Sequence, residues 1–101
     1  MWTLESALPV LRVLEAVAAK EGFHVALSGS VLYRGYSAKD LDVVVYPHNV
    51  NLYRAEDRAR LLQSFQTAGF SDPYEVSPNY VDKDVVVVKN DGKRIDLFFL
   101  R

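Results

Sequence analysis

Apolar residues at Leu4, Leu8, Leu11, Leu14 and Ala18 recur in steps of three and four, the spacing of one helix face, while Glu5, Arg12, Glu15 and Lys20 fall on other faces. Pro9 has no backbone N–H, so it is expected in the first turn, with Ser6 as cap, or Thr3 if an extra turn leads in. Gly22 is a stop signal for this helix. Residues 23–28 (FHVALS) read as a strand ended by Gly29-Ser30, and 31–34 as a short helix. Gly35, Ser37 and Lys39 have loop character. Residues 41–46 (LDVVVY) form a β-branched strand closed by Pro47. Leu52, Ala55, Ala59, Leu62, Phe65 and Gln66 line a second long helix that ends at Gly69, with Phe70 as the hydrophobic residue beyond the stop. Residues 71–79, which hold Pro73 and Pro78, read as loop. Residues 84–89 (DVVVVK) and 94–100 (RIDLFFL) are strands joined by the hairpin turn Asn90-Asp91-Gly92.

The order helix, strand, short helix, strand, helix, hairpin predicts an α/β (α+β) fold: a small mixed sheet of about four strands with helices packed mainly on one face. A length of 101 residues fits one domain, 1–101, and a hydrophobic share of 50% allows a substantial core. Twelve basic against thirteen acidic residues give a net charge of −1, so the whole-domain basic footprint of a nucleic-acid binder is absent, leaving only a local patch. The absence of cysteine excludes disulfides, thiol catalysis and cysteine zinc sites. No apolar run reaches the roughly 18 residues of a membrane span, and Met1-Trp2-Thr3-Leu4-Glu5 lacks the basic start of a signal peptide. A cytoplasmic protein without membrane contact is the expectation.

Three aspartates interrupt apolar strands: Asp40 and Asp42 around Leu41, and Asp96 between Ile95 and Leu97. Positions two apart on a strand point to one sheet face, with Cα atoms about 6.6 Å apart. If the strand of Asp96 pairs beside theirs, about 4.8 Å away, three carboxylates converge on one spot. They repel one another unless a cation intervenes, and hard oxygen ligands suit Mg²⁺ or Mn²⁺. The plain alternative is Asp40 as a turn residue and Asp96 paired with Arg94 or a neighbouring lysine. A second feature is Ser28-Gly29-Ser30 at the first strand's end. Glycine lets backbone approach a ligand closely, and a helix starting there turns its free N–H groups toward the gap. A simple strand-to-helix turn is the alternative. Neither a GxxxxGK[ST] loop nor a GxGxxG is present.

Gly29-Ser30, nine intervening residues, Asp40-Leu41-Asp42 and the later Ile95-Asp96-Leu97 together resemble the nucleotidyltransferase superfamily of DNA polymerase β, above all its minimal members. Lys39-Asp40-Leu41-Asp42-Val43 is also similar to the corresponding stretch of tRNA CCA-adding and poly(A) enzymes. The spacer after Ser30 is about one residue shorter than in many minimal members, and Lys39 stands where many have serine.

The resemblance implies a nucleotidyltransferase-like fold and metal-dependent transfer of a nucleoside monophosphate from a nucleoside triphosphate (NTP) to a hydroxyl on protein, RNA or a small molecule, releasing pyrophosphate. Gly29 and Ser30 would hold the β/γ-phosphates. Asp40 and Asp42 would bind Mg²⁺ or Mn²⁺, and Asp96 would complete the metal site and act as base or orient the acceptor. Arg34 and Lys39, in the loop between Ser30 and Asp40, are placed to neutralise triphosphate charge; a solvated loop charge is the alternative for each. Larger relatives add a helical domain, whereas this chain ends straight after its last strand. The rival reading is a catalytically inactive nucleotidyltransferase-like binding or regulatory module, of antitoxin or inhibitor type, acting through a protein partner. A third reading is a small structural domain with incidental acids.

Arg94 shares the face of Asp96 and is placed to pair with an aspartate or reach phosphate. Arg54, Arg58 and Arg60 with Glu56 and Asp57 look like an exposed helix face. His24 and His48 have no metal-ligand spacing. Tyr33, Tyr36, Tyr74 and Tyr80 are candidates for stacking on a base, with packing as the alternative. Beyond the acids their face continues Val44, Tyr46, Phe98, Leu100, an apolar patch that suggests a protein partner or self-association unless residues 71–83 fold over it.

Overall fold

The computed structural model describes residues 1–49, 55–76 and 82–100. Along the chain run β1 (Trp2–Thr3), α1 (Leu4–Lys20), β2 (Phe23–Ser28), α2 (Gly29–Arg34), β3 (Tyr36–Ser37), β4 (Asp40–Pro47), α3 (Ala55–Thr67), β5 (Ser71–Val76), β6 (Lys83–Asn90) and β7 (Lys93–Leu100). The main sheet has the order β2-β4-β7-β6-β5; β4 and β7 are parallel and all other neighbours antiparallel. The mixed α+β class is as expected, with five strands rather than about four.

The extra strand is β5, formed by residues that Pro73 makes look like loop. Proline is tolerated because β5 is an edge strand. The register shifts between Ser71 and Tyr74, and Asp72 takes φ 50°, so the strand absorbs the proline in a bulge. The remainder of that expected loop, residues 77–79, lies outside the described residues, as do Leu52, Arg54 and Tyr80. A second addition is the two-stranded pairing of β1 with β3, Trp2 opposite Ser37 and Thr3 opposite Tyr36. It ties the N-terminus to a segment whose serine and lysine suggest only loop.

Thr3 caps α1 in a reciprocal box with Ser6. Pro9 is therefore in the second turn, not the first. Its missing donor faces the carbonyl of Glu5, an exposed residue that water can serve. Ala7, Leu14 and Ala18 are buried, whereas Leu4 and Leu8 are 44% exposed. The buried stripe is thus rotated from the expected one, because α1 lies along the edge strand β2 and its Leu8–Leu11 side borders a groove with Val25 and Leu27. In α3 the buried residues are Leu61 and Phe65, with Ala55 and Ala59 exposed. Arg58, expected on an exposed face, instead bridges Asp84 at 2.8 Å and Glu75 at 3.1 Å and lies over the Phe99 ring. Phe70 packs against Phe65 beyond Gly69, as the stop signal implied. The hairpin turns at Asp91 (φ 57°) and Gly92 (φ 74°), the positive-φ pair of a two-residue loop.

Register decides which face is core. Leu41, Val43 and Val45 align with Ile95, Leu97 and Phe99, and these with Val88 and Val86, in one buried cluster beneath the Leu14, Ala18, Leu61 and Phe65 side chains of α1 and α3. Fully burying each large apolar side chain is worth roughly 1.5–3 kcal/mol. The alternate residues, Asp40, Asp42, Arg94 and Asp96, necessarily point to the opposite face. Along that face Val44 and Phe98 are half-buried, and Tyr46 and Leu100 exposed. The apolar continuation is therefore partly covered.

Candidate active site

β4 and β7 run side by side in parallel, and their register sets Asp42 directly opposite Asp96 and Asp40 opposite Arg94. One ligand oxygen from each of Asp40, Asp42 and Asp96 lies within 4.8 Å of the others. The expected convergence of carboxylates is thus present. Asp96 is buried and the other two half-buried.

Such crowding leaves a mark on the acids. Burial, and then the charges of Asp40 and Asp96, push the Asp42 carboxyl up to about 6, against weaker pulls from Lys83 and Arg94. Asp40 is also raised, first by burial and then by the charge of Asp96 and a hydrogen bond to it. Arg94 offsets part of this. Its Nε donates to Asp96 Oδ1 at 2.7 Å, one terminal nitrogen donates to Asp96 Oδ2 at 3.3 Å, and Nε lies 3.9 Å from Asp40 Oδ2. The pairing of Arg94 with an aspartate, one of two roles open to it in the sequence, is the one found.

The bend after β2 faces the same carboxylates. Ser28 pairs with Asp42 across β2–β4, and its hydroxyl donates to the Asp42 carbonyl at 3.3 Å. Gly29 then takes φ +70°, and a Cβ on it would sit 2.0 Å from Asp42 Oδ2. The glycine is needed for the approach of an acidic side chain, a closer constraint than the ligand approach the sequence suggests. Gly29 and Ser30 open α2. Arg34 lies at the far end of α2, and Lys39 immediately precedes β4. Both are exposed, and neither side chain has a hydrogen bond or ion pair among the described residues.

Sequence reasoning misses one contributor. The single tryptophan, Trp2, is buried and donates from Nε1 to the Arg94 carbonyl at 2.9 Å, with Lys93 Nζ 4.0 Å from its ring centroid. Through β1 and β3 it therefore links the start of β7 to the segment leading into Asp40. A lone tryptophan before a helix is the only sequence signal, and it does not say where the ring goes. At the far end of the face His24 bonds Glu15 and His48, each at 2.9 Å. Tyr33, Tyr36 and Tyr74 are exposed.

Three carboxylates with oxygen donors only, two of them raised in pKa by burial and then by one another's charge, fit a hard divalent cation. No helix among the described residues is long and apolar enough to cross a membrane.

No protein-family model matches the sequence, and no curated protein matches it. Solved structures do resemble it in fold. The poly(A) polymerase complex GLD-2–GLD-3 matches with TM-score 0.73 at 14% identity, covering 96% of this chain and 34% of that one. The polymerase core of TRAMP, an RNA surveillance complex, matches with TM-score 0.72 at 14% identity over 97% of this chain and 32% of that one. The RNA terminal uridylyl transferase Cid1 matches with TM-score 0.70 at 10% identity over 95% of this chain and 31% of that one. The chain has the nucleotidyltransferase fold of these enzymes and spans about a third of their length.

Proposed function

We propose that the domain carries the catalytic site of a metal-dependent nucleotidyltransferase, moving a nucleoside monophosphate from an NTP to a hydroxyl acceptor. The observation that carries this is the meeting of Asp40, Asp42 and Asp96 within 4.8 Å, opposite the Gly29 bend. Asp40, Asp42 and Asp96 would hold Mg²⁺ or Mn²⁺. When bound, such ions supply positive charge against the phosphate oxygens around the reacting phosphorus. Gly29 and Ser30 would place backbone N–H groups and a hydroxyl against the β/γ-phosphates, with Lys39 and Arg34 as the basic side chains of that wall. In the reaction the acceptor oxygen bonds to the α-phosphorus and the α–β bridging P–O bond breaks. Pyrophosphate leaves, and the hydroxyl proton passes to Asp96. RNA is the acceptor class suggested by the neighbouring enzymes, and protein or small-molecule hydroxyls use the same chemistry.

The chain spans about a third of its neighbours, so the remaining grip on base and acceptor would come from another segment or a protein partner, including a second copy. One observation favours a second reading, the inactive binding module: Arg94 already satisfies both oxygens of Asp96. The test is transfer of label from α-labelled NTPs in Mg²⁺ or Mn²⁺, with RNA and protein acceptors, against Asp42→Asn. Transfer lost in the variant supports the enzyme. Metal-dependent nucleotide binding with no transfer to any acceptor supports the module.

A further inference from the structure

Arg94 makes a two-point fork on Asp96, at 2.7 and 3.3 Å, and its Nε is 3.9 Å from Asp40 Oδ2. The two acids it addresses are two of the three that would hold the metal. A guanidinium and a hard divalent ion compete for the same carboxylates, because the fork takes one lone pair on each Asp96 oxygen and seats a positive charge where the ion's would lie. Arg94 cannot lose its charge to make way. It can only move, and its side chain, 44% exposed, can swing toward solvent. Its backbone stays fixed, since the Arg94 carbonyl accepts from the buried Trp2 and its strand position is set opposite Asp40 and Lys89.

We infer that Arg94 is a resident counter-cation of the carboxylate cluster, with which a divalent ion competes and which a bound triphosphate draws away. This rests on the proposed nucleotidyltransferase reading and adds a thermodynamic coupling to it. Without nucleotide, the ion meets a positive charge already seated on Asp96 and 3.9 Å from Asp40, so free metal binds weakly. With nucleotide, the phosphate oxygens offer the displaced guanidinium a new bidentate partner, and metal and nucleotide each strengthen the other's binding by the same factor. The domain thereby favours the metal–nucleotide pair over the bare ion. The fork also neutralises part of the cluster's charge, adding to the weaker pull of Lys83 on Asp42.

The experiment measures Mn²⁺ affinity of the whole chain by the loss of its free-ion electron paramagnetic resonance signal, with no nucleotide and then with a non-hydrolysable NTP analogue. The proteins are the wild type, Arg94→Gln, Arg94→Lys and Asp42→Asn, each checked for folding by circular dichroism. Arg94→Gln is expected to bind bare Mn²⁺ about tenfold or more tightly than the wild type, one such factor being about 1.4 kcal/mol. Arg94→Lys, a charge without the fork, falls between them. The analogue tightens Mn²⁺ binding in the wild type by a larger factor than in Arg94→Gln. Equal or weaker bare-ion affinity in Arg94→Gln overturns the counter-cation role while leaving the carboxylate site standing. If neither protein shows Mn²⁺ binding sensitive to Asp42→Asn, the carboxylate reading falls and takes this one with it.

Discussion

Gly29 and Asp42 are in such close contact that a Cβ on the glycine would lie 2.0 Å from Asp42 Oδ2 and 2.8 Å from its Cβ. The bend at the head of α2 and the acid on β4 therefore share one volume. Gly29 also has φ +70°, a conformation L residues resist. Gly35 has a similar φ of +81°, but a Cβ there would meet nothing within 4 Å.

This pair allows the contact to be separated from the backbone cost. Gly35→Ala is expected to lose about 1–2 kcal/mol, the left-handed penalty alone. Gly29→Ala carries that penalty plus a clash with a side chain that has little room, and is expected to lose at least about 3 kcal/mol. It should also weaken Mn²⁺ binding, because Asp42 must shift. Urea unfolding and a Mn²⁺ titration on both variants check this; equal losses in the two would show that the contact carries no weight.

The pH dependence of the metal-free protein follows from Asp42. Its folded pKa is pushed up to about 6 from an ordinary 3.8. The folded state thus binds more protons than the unfolded one between those values, so stability falls as pH rises through this window. The contribution is fully present below about 4 and lost above about 6. Asp42→Asn mimics the protonated form at every pH. It should match the wild type near pH 4 and exceed it near pH 7.5 by about 1–2 kcal/mol, the full linkage value being reduced by solvent at this partly open site. Denaturant melts in chelator at both pH values check the sign.

Arg58 tests a different part of the fold. Exposed ion pairs contribute little, but this side chain is only 19% exposed, holds both Asp84 and Glu75, and lies over Phe99 at 4.7 Å. Arg58→Ala should cost about 2–3 kcal/mol and chiefly loosen α3 from β5 and β6. Arg58→Lys should recover only part of this, since a compact ammonium lacks the planar, pre-organised fork that meets both carboxylates and stacks over the Phe99 ring. Hydrogen exchange of the β5 and β6 amides, together with the unfolding midpoint, reads both effects.

The strands that build the site are legible because each carries a run of apolar, largely β-branched residues broken by aspartate, as in Asp40-Leu41-Asp42-Val43 and Ile95-Asp96-Leu97. Alternation alone then fixes the face of each acid. What the strands do not reveal is their neighbours. That β4 and β7 are parallel partners depends on crossover topology, and the resemblance, rather than periodicity, makes their adjacency the expectation. The β5 strand is hidden by Pro73, whose prohibition is lifted at a sheet edge. The role of Arg58 is hidden because helix charge spacing is the same whether the face meets water or a pair of acids on a neighbouring strand. Trp2 is hidden because a two-residue strand has no period to detect.

Divalent ions should couple to folding through the three carboxylates. The folded domain brings Asp40, Asp42 and Asp96 together, whereas the unfolded chain holds Asp96 more than fifty residues from the other two. An ion that binds only the folded arrangement stabilises it by RT ln(1 + [L]/Kd), about 2.7 kcal/mol at one hundred times Kd. For a domain of this size that corresponds to a rise in Tm of about 10 °C or more. Binding also offsets the burial and the mutual repulsion that raise Asp40 and Asp42, so the gain over chelator should be larger at pH 7.5 than at pH 5, where protons compete for the same oxygens. Trp2, packed against the start of β7, reports unfolding by fluorescence in each case. In Asp42→Asn the Mn²⁺-dependent rise should disappear while the metal-free Tm at pH 7.5 goes up. The two effects have opposite sign in one substitution, which general destabilisation cannot imitate.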